Sequence, residues 1–465
     1  MNADLNKLNS ILSNFDKDSS LLKLNLLQSL SQQKIYKSKE IKAYHNCLLF
    51  VLAYPDNLAI QKIASAEMQK IGDSLKKLNE TKRLTFDRSG LAYTETVGTF
   101  SLAFCKWLLN KYPNSAYIHS FDEAGVHPKE VLKNILPEME FEIIGNDSLN
   151  KINWLKKVSG LKNKNEQLNW LVSTIDAITG KTILNEQMFE SLKVYIQILQ
   201  DDPLFSKSFG KITIPKIYFH EQGLLKKFDP KNIIHKQLPK EAKLNLSQKN
   251  EILDVSRTAL ALLNRETDPI TYCTPNNIKV FNLEHGLCIA LYSINSDIRL
   301  PLESYIGFMM FKNGYPMSYG GAWLFGKRSL IGINIFETFR GGESAFVFAQ
   351  LLRTYSQAFN AEEFEVEPYQ FGKNNPEGIQ SGAFWFYHRF GFRPIDKKLF
   401  ELSESEHQKI ISQKGYRSPV SVLKQFTKSN LSVNFGSSKH IIKASIFSSY
   451  ITKQINTRFN SDRNK

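Results

Sequence analysis

A glycine-rich turn at residues 339–345, Phe-Arg-Gly-Gly-Glu-Ser-Ala, precedes an apolar pattern of helical period over residues 346–359. The first backbone N–H groups of a helix have no partner inside it, and the helix dipole places positive charge at the same end. Such an end binds anions, the more so beside an arginine and beside glycines that let an anion approach the backbone. The sequence therefore predicts either an anion site or a plain turn. The residues of that site are Arg340, Gly341, Gly342 and Ser344.

A second segment, residues 383–392, reads Ala-Phe-Trp-Phe-Tyr-His-Arg-Phe-Gly-Phe and has the form A-x-x-F-Y-x-x-x-G-F. This form resembles the closing motif of the GNAT superfamily of N-acetyltransferases. A strand meander, the glycine turn, a helix and a further strand precede it in the family's order, so the resemblance covers about residues 278–395. It implies an α+β fold with a mixed sheet that binds acetyl-CoA or another acyl-CoA as donor.

The resemblance also implies roles for individual residues. The phenol of Tyr387 lies at the family's general-acid position, from which it would protonate the departing thiolate. Backbone N–H groups at the end of the fourth strand would stabilise the oxyanion of the attacked thioester. Glu337 is the first candidate for the base that deprotonates the amine, and Glu367 is the second. The residues expected around the donor are Asn334, Ile335, Phe336, Arg340, Gly341, Gly342, Ser344, Ala345 and Gln380.

Two positions depart from the family's pattern. Glu343 replaces a glycine of the loop, and a carboxylate beside a pyrophosphate is repulsive by about 1–4 kcal/mol at 4 Å, depending on the dielectric. Glu343 is therefore expected to turn away from the donor, unless the donor is bound differently. Gln380 replaces the asparagine that usually precedes the closing helix.

The elements that position these residues follow from period and turn signals. Asn313-Gly314 and Gly326-Lys327 predict tight turns that join three strands into a meander. Helical patterns dominate the first 205 residues, including residues 189–199, and a short strand is expected at residues 211–218. We expect a mostly helical N-terminal domain (1–205), a connector (206–249), a GNAT-like mixed-sheet domain (250–400) and a helical basic extension (401–465). The overall class is α+β.

Composition indicates the cellular compartment and the class of partner. The four cysteines lie far apart without a CxxC pair, which fits a reducing compartment and disfavours a disulfide scaffold or zinc ribbon. No apolar run approaches the ~20 residues of a membrane helix, and no signal peptide is evident, so the expected location is cytoplasmic. No metal site is expected. The net charge is +15; residues 401–465 hold 11 Lys/Arg against 4 Asp/Glu, whereas residues 251–400 hold 14 against 15. Basic flanks are typical of a chain with an anionic partner, or of a solvated lysine-rich surface.

Three functions remain open at this stage. The first is an acyl-CoA-dependent N-acyltransferase, most simply an acetyltransferase, with an amine acceptor that the sequence does not identify. The second is a GNAT-like transferase whose donor is aminoacyl-tRNA or acyl-carrier protein, which the basic flanks would hold. The third is a degenerate GNAT-like domain that binds without catalysis. Residues 453–465 are expected to form a frayed basic tail, so deleting residues 454–465 should leave the melting temperature nearly unchanged.

Overall fold

The computed structural model describes residues 3–33, 37–134, 137–145, 148–199, 201–296, 298–299, 304–437 and 444–462. These residues form a mixed α/β structure with many helices and a large mixed sheet. The chain divides into two compact units. The N-terminal unit comprises Met1–Gln222, Leu244–Pro275 and Lys312–Pro316, and the sheet unit comprises Gly223–Lys243, Asn276–Phe311 and Met317–Lys465.

Several helices begin at a polar residue that caps their first turn. Asp16, Asn57 and Ser101, for example, each accept a hydrogen bond from the first turn of the helix that follows. The helices are α1 (Ala3–Ile11), α2 (Lys17–Gln32), α3 (Ser38–Ala53), α4 (Leu58–Lys76), α5 (Glu80–Arg83), α6 (Leu102–Lys111), α7 (Pro128–Leu132), α8 (Glu138–Gly145), α9 (Lys151–Ser159), α10 (Lys164–Asp176), α11 (Thr182–Ser191), α12 (Pro230–Ile234), α13 (Leu246–Leu262), α14 (Asp268–Thr271), α15 (Ser344–Phe359), α16 (Pro376–Gln380), α17 (Ala383–Arg389), α18 (Lys397–Ser412), α19 (Val420–Phe426) and α20 (Ala444–Phe459).

The strands fall into two sheets. They are β1 (Glu95–Gly98), β2 (Ala116–Phe121), β3 (Val194–Leu199), β4 (Ile278–Asn282), β5 (Leu287–Ser293), β6 (Ser304–Lys312), β7 (Tyr315–Phe325), β8 (Arg328–Ile335), β9 (Glu363–Val366), β10 (Arg393–Pro394) and β11 (Leu431–Asn434). The N-terminal unit contains a three-stranded sheet in the order β1-β3-β2. The second sheet has the order β10-β11-β9-β8-β7-β6-β5-β4.

The N-terminal unit is less purely helical than its sequence predicts. Residues 189–199, predicted as one helix, contain the end of α11 and then β3, the central strand of the three-stranded sheet. Val194, Ile196 and Ile198 are buried, whereas the residues between them are half-buried. This is the two-residue period of a strand. The helical prediction was wrong because a short apolar run fits either period until its partner strands are known.

The predicted strand at residues 211–218 is also absent from the described structure, although its backbone is hydrogen-bonded. Ile212 N–H donates to the carbonyl of Gly314 (2.9 Å), and Tyr218 N–H donates to the side chain of Asn313 (2.8 Å). Asn313 and Gly314 both have positive φ (47° and 86°), as the predicted tight turn requires. The backbone of this segment therefore forms hydrogen bonds with a hairpin turn and not with a neighbouring strand.

Among the described strand pairs of the large sheet, β8–β9 is parallel and the others are antiparallel. The β7–β8 pair is antiparallel from Ser318↔Ile335 to Phe325↔Arg328, as the predicted meander requires. The next pair, β8–β9, is parallel, and β9–β11 and β11–β10 are antiparallel. A parallel pair requires a crossover connection, and α15 supplies it.

Helix α15 is the best-buried helix of the sheet unit, with ten consecutive residues from Phe346 to Tyr355 buried. It ends at Asn360, whose φ of 56° lies in the left-handed region typical of helix C-termini. Its middle carries the fully buried Arg353, which donates to the carbonyls of Lys236 (2.8 Å) and Gln237 and to the Glu284 carboxylate (2.8 Å). The part of the connector within the sheet unit is therefore fixed to α15.

The C-terminal extension differs from the predicted tail. Helix α20 continues to Phe459, so residues 453–459 are helical and the frayed-tail prediction was wrong for them. Residues 463–465 lie outside the described part of the chain. Among the described residues, no helix combines the length and the apolar character that a membrane crossing requires.

Candidate active site

The candidate site begins at the opening, which is the gap between β8 and β9 beyond their last paired residues. Their parallel ladder covers only Arg328↔Glu363, Ser329↔Phe364 and Leu330↔Glu365. Glu365 is buried and accepts two hydrogen bonds from Arg328, at 3.0 Å from Nε and 2.9 Å from Nη2. This paired arrangement is the strong geometry for an arginine and a carboxylate. This ion pair stabilises the paired end of β8 and β9. Beyond the paired residues, β8 continues to Ile335.

Only alternate residues of β8 direct their backbone groups into the opening. Phe336 N–H donates to the carbonyl of Met317 in β7 (2.9 Å), and Ile335 carbonyl accepts from the Arg340 guanidinium on the other side (3.3 Å). Since backbone groups alternate along a strand, Ile333 and Ile335 face the opening, whereas Asn334 and Phe336 face β7. Of the predicted oxyanion donors only Ile335 has the required direction, and Ile333, which the prediction missed, shares it.

Glycines in β7 stand opposite this stretch. Gly320 pairs with Ile333, and Gly321 pairs with Gly332. A Cβ on Gly320, whose φ is +156°, would lie 2.2 Å from the Gly332 carbonyl oxygen, and one on Gly321 would lie 2.4 Å from the Tyr305 ring. Close packing therefore requires both glycines.

A glutamine side chain lies inside the opening. Gln370 belongs to a 3₁₀ turn, Pro368–Phe371, that follows β9. Its Oε1 lies 3.4 Å from the backbone nitrogen of Ile333 and 3.4 Å from the hydroxyl oxygen of Tyr387. One carbonyl oxygen thus joins the β8 backbone to the predicted general acid.

Tyr387 lies on α17 with its ring buried among aromatic side chains. Ring centroids lie 5.4 Å from Phe348, 5.8 Å from Phe392 and 6.4 Å from Phe371. Burial raises the pKa of the Tyr387 phenol above its usual value, so the hydroxyl stays protonated at neutral pH. Phe348 is one helical turn past Ser344, so the phenol packs against the first turns of α15.

The glycine turn lies between the end of β8 and α15, as predicted. A 3₁₀ turn, Glu337–Phe339, closes β8, and Gly342 N–H donates to the Phe339 carbonyl (3.0 Å). Gly341 is exposed, and a Cβ added to it would meet nothing within 4 Å. Ser344 hydroxyl donates to the Arg340 carbonyl (3.2 Å), which stabilises the turn.

Arg340 lies at the mouth of the opening. Its Nε donates to the Ile335 carbonyl (3.3 Å), and its Nη1 lies 3.3 Å from the Glu377 carboxylate. Both charged side chains of that pair are largely exposed, so the contact is weak and readily exchanged for another anion. Arg340 therefore remains a suitable cation for a phosphorylated ligand.

The Glu343 carboxylate turns away from the helix it precedes. It is almost fully buried and accepts hydrogen bonds from Leu225 N–H (2.9 Å) and from His285 Nδ1 (3.3 Å). It makes no side-chain cap on α15. Glu343 is therefore directed away, which is the first of the two alternatives that the sequence left open. Nothing in the sequence indicated that Leu225 and His285 are its partners.

Most of the remaining predicted residues are exposed. Glu337 and Glu367 are exposed, and no hydrogen bond within the described residues joins either carboxylate to Tyr387 or Gln370. Gln380 is exposed at the end of α16, and Ala345 is half-buried in the first turn of α15. Among the described residues, no three His, Cys, Asp or Glu side chains are grouped to hold a metal ion.

The site thus combines a backbone opening, a protonated phenol and a helix start with an arginine. Comparison of the chain with protein-family models, with curated proteins and with solved structures finds no match. The functional argument therefore depends on the geometry of the site.

Proposed function

We propose that this chain is an N-acyltransferase of the GNAT type that transfers an acyl group, most simply acetyl, from acyl-CoA to an amine. The observation that carries the proposal is the convergence of Ile333 N–H and Tyr387 O–H on one carbonyl oxygen, that of Gln370. Two hydrogen-bond donors aimed at one oxygen, where two parallel strands separate, are what a thioester carbonyl needs during attack. The ring of Tyr387 also packs against Phe348, which lies about one helical turn after the start of α15 at Ser344.

The proposed reaction is direct transfer within a ternary complex. The amine nitrogen attacks the thioester carbonyl carbon, and backbone N–H groups of β8 stabilise the resulting oxyanion. The carbon–sulfur bond then breaks, and Tyr387 gives its proton to the sulfur. The proton lost by the amine goes to Glu337 or Glu367, directly or through water. That proton returns from the carboxylate to the Tyr387 phenolate through water, so the products are an amide and free coenzyme A.

Three features would bind the donor. Arg340 would pair with the phosphates, the exposed turn at Gly341 would let them approach the backbone, and the dipole of α15 would favour their charge. Because the Glu343 carboxylate is held by Leu225 and His285, it opposes the donor less than its place in the sequence suggests. Residues 340–345 would then form the pyrophosphate site.

Thermal unfolding of the full chain tests the donor. Millimolar acetyl-CoA should raise the melting temperature, because a ligand that binds only the folded state stabilises it by mass action. A shift with tRNA or acyl-carrier protein, and none with acetyl-CoA, would instead support one of those donors. No shift with any of them would support a binding domain without catalysis.

Turnover is then measured as release of coenzyme A thiol in the presence of a panel of amines. The panel contains a lysine peptide, a polyamine and an aminoglycoside, which represent three acceptor classes. Amine-dependent thiol release is the expected result. Tight binding of acetyl-CoA without turnover on a broad amine set would contradict the transferase.

A further inference from the structure

The position of Gln370 is unusual because its carboxamide fills the opening between β8 and β9. The atom that faces Ile333 must be the carboxamide oxygen, since a backbone N–H can only donate and the carboxamide NH₂ is also a donor. The same oxygen lies 3.4 Å from the Tyr387 hydroxyl, whose proton it can accept. The carboxamide therefore occupies a site with two donors and room for one carbonyl.

Gly332 makes room for this carboxamide. A Cβ at position 332 would lie 3.0 Å from Gln370 Nε2 and 3.5 Å from its carboxamide carbon. Contacts that short occur rarely, so a larger residue would displace the glutamine. On the other side, Gly332 pairs with Gly321 in β7. The backbone at Gly332 therefore lies directly beside the Gln370 carboxamide.

A carboxamide and an acetyl thioester share the same shape at their reactive end. Each has a planar carbonyl with one small substituent, NH₂ in one case and CH₃ in the other. From this match, and resting on the proposed function, we infer that the Gln370 carboxamide occupies the acyl site of the free protein and that the donor's thioester carbonyl replaces it between Ile333 N–H and Tyr387 O–H.

This exchange explains why a polar side chain lies there at all. A buried donor without an acceptor costs free energy, so an empty opening would leave the Tyr387 hydroxyl unsatisfied. Gln370 supplies the missing acceptor until the donor arrives.

The inference separates two ligands that differ only in the acyl group. Acetyl-CoA must displace Gln370 from the opening, whereas coenzyme A, which has no acyl carbonyl, need not. Removing the side chain should therefore favour acetyl-CoA alone. The nucleotide part of both ligands would contact residues 340–345, which the substitution at position 370 leaves unchanged.

Calorimetric titration of the full chain with acetyl-CoA and with coenzyme A provides the test. Gln370→Ala should bind acetyl-CoA about tenfold more tightly than the wild type, the equivalent of one or two competing hydrogen bonds. Its affinity for coenzyme A should stay within about twofold, since no acyl contact is involved. Gln408→Ala, which changes an exposed glutamine of α18, is the matched control and should change neither affinity.

Gln370→Asn serves as a second variant in case the alanine form folds poorly. Its side chain is one methylene shorter, keeps the amide and should also favour acetyl-CoA. Equal changes for both ligands, or weaker acetyl-CoA binding by Gln370→Ala, would overturn the inference while leaving the transferase intact. Failure of the wild type and of every variant to bind either ligand would overturn the proposed function and this inference with it.

Discussion

Tyr387 shows how its surroundings select one role for a phenol. Aromatic rings enclose it, and burial raises its pKa, so that at neutral pH it carries a proton and cannot act as a base. A thiolate leaving within the same buried surroundings is also more basic than in water. Burial therefore raises the pKa of the phenol that gives the proton and also the pKa of the thiol that receives it. The proposed proton transfer stays feasible because both pKa values move in the same direction.

Replacing Tyr387 with phenylalanine should reduce turnover and spare donor binding. General-acid catalysis by a positioned side chain contributes about 100-fold or more, and thiol release with the best amine of the panel should fall by that order. The affinity for acetyl-CoA should change little, because one weak hydrogen bond is lost. Tyr369→Phe, an exposed tyrosine of the neighbouring turn, is the control. Unchanged turnover of Tyr387→Phe would remove the phenol from the mechanism.

Replacing Gly332 with alanine should destabilise the protein through Gln370. The added methyl group would lie 3.0 Å from Gln370 Nε2, and overpacking of this kind costs about 1–3 kcal/mol. The double variant Gly332→Ala/Gln370→Ala should recover most of that loss in denaturant unfolding. Gly341→Ala, with no neighbour within 4 Å, is the control. A loss that the second substitution does not recover would place the clash elsewhere.

At the scale of elements, α15 joins the candidate site to the connector. Its first turn lies at the glycine loop, and its middle carries Arg353, which is fully buried and bonded to Glu284 and to two connector carbonyls. Burial opposes ionisation of Glu284, but its hydrogen bond with Lys236 and the charge of Arg353 prevail and lower its pKa to about 2. The helix start is thus positioned by a charged anchor more than two turns away.

Replacing Arg353 with methionine should test that anchor. Breaking a buried, hydrogen-bonded ion pair from one side costs about 3–5 kcal/mol, because the partner groups are left unsatisfied. Arg340→Met removes an exposed pair and should cost about 0–1 kcal/mol. Urea unfolding of the two variants compares the costs. Equal losses would show that Arg353 does not anchor α15.

At the scale of the whole molecule, each unit contains a buried histidine whose pKa is strongly lowered. In the N-terminal unit, burial lowers the pKa of His45 to about 4, and its ring bonds to Ser208 (2.9 Å). In the sheet unit, burial together with the charges of Arg393 and His407 lowers the pKa of His388 to about 4, although Glu404 opposes this. Both values lie below the ordinary 6.5.

Acid should therefore destabilise both units. As the pH falls from about 6.5 to about 4, these two histidines bind protons in the unfolded chain but not in the folded chain. The free energy of unfolding therefore falls across that pH window. Above pH 6.5 these two groups do not change the free energy of unfolding. His388→Gln should make the fall shallower, as measured by urea unfolding at several pH values. An unchanged slope would show that His388 is protonated in the folded chain.

Local signals in the sequence determined much of the large sheet. Tight turns such as Asn313-Gly314 and the strand-like runs that they join predicted the meander, because a hairpin depends on neighbours in the chain. The same holds for the glycine turn before α15 and for Tyr387 on a helix. These features need only periodicity and residues with special backbone preferences.

Tertiary structure decided what depends on distant partners. The sequence did not indicate that Gln370 reaches the β8 backbone at Ile333, or that Glu343 is held by Leu225 and His285, because those atoms meet only after the chain has crossed the sheet. The strand at residues 194–199 was missed for the same reason, since its period becomes distinct only between two partner strands. Residue types fix which groups are present, whereas packing fixes which of them share one carbonyl oxygen.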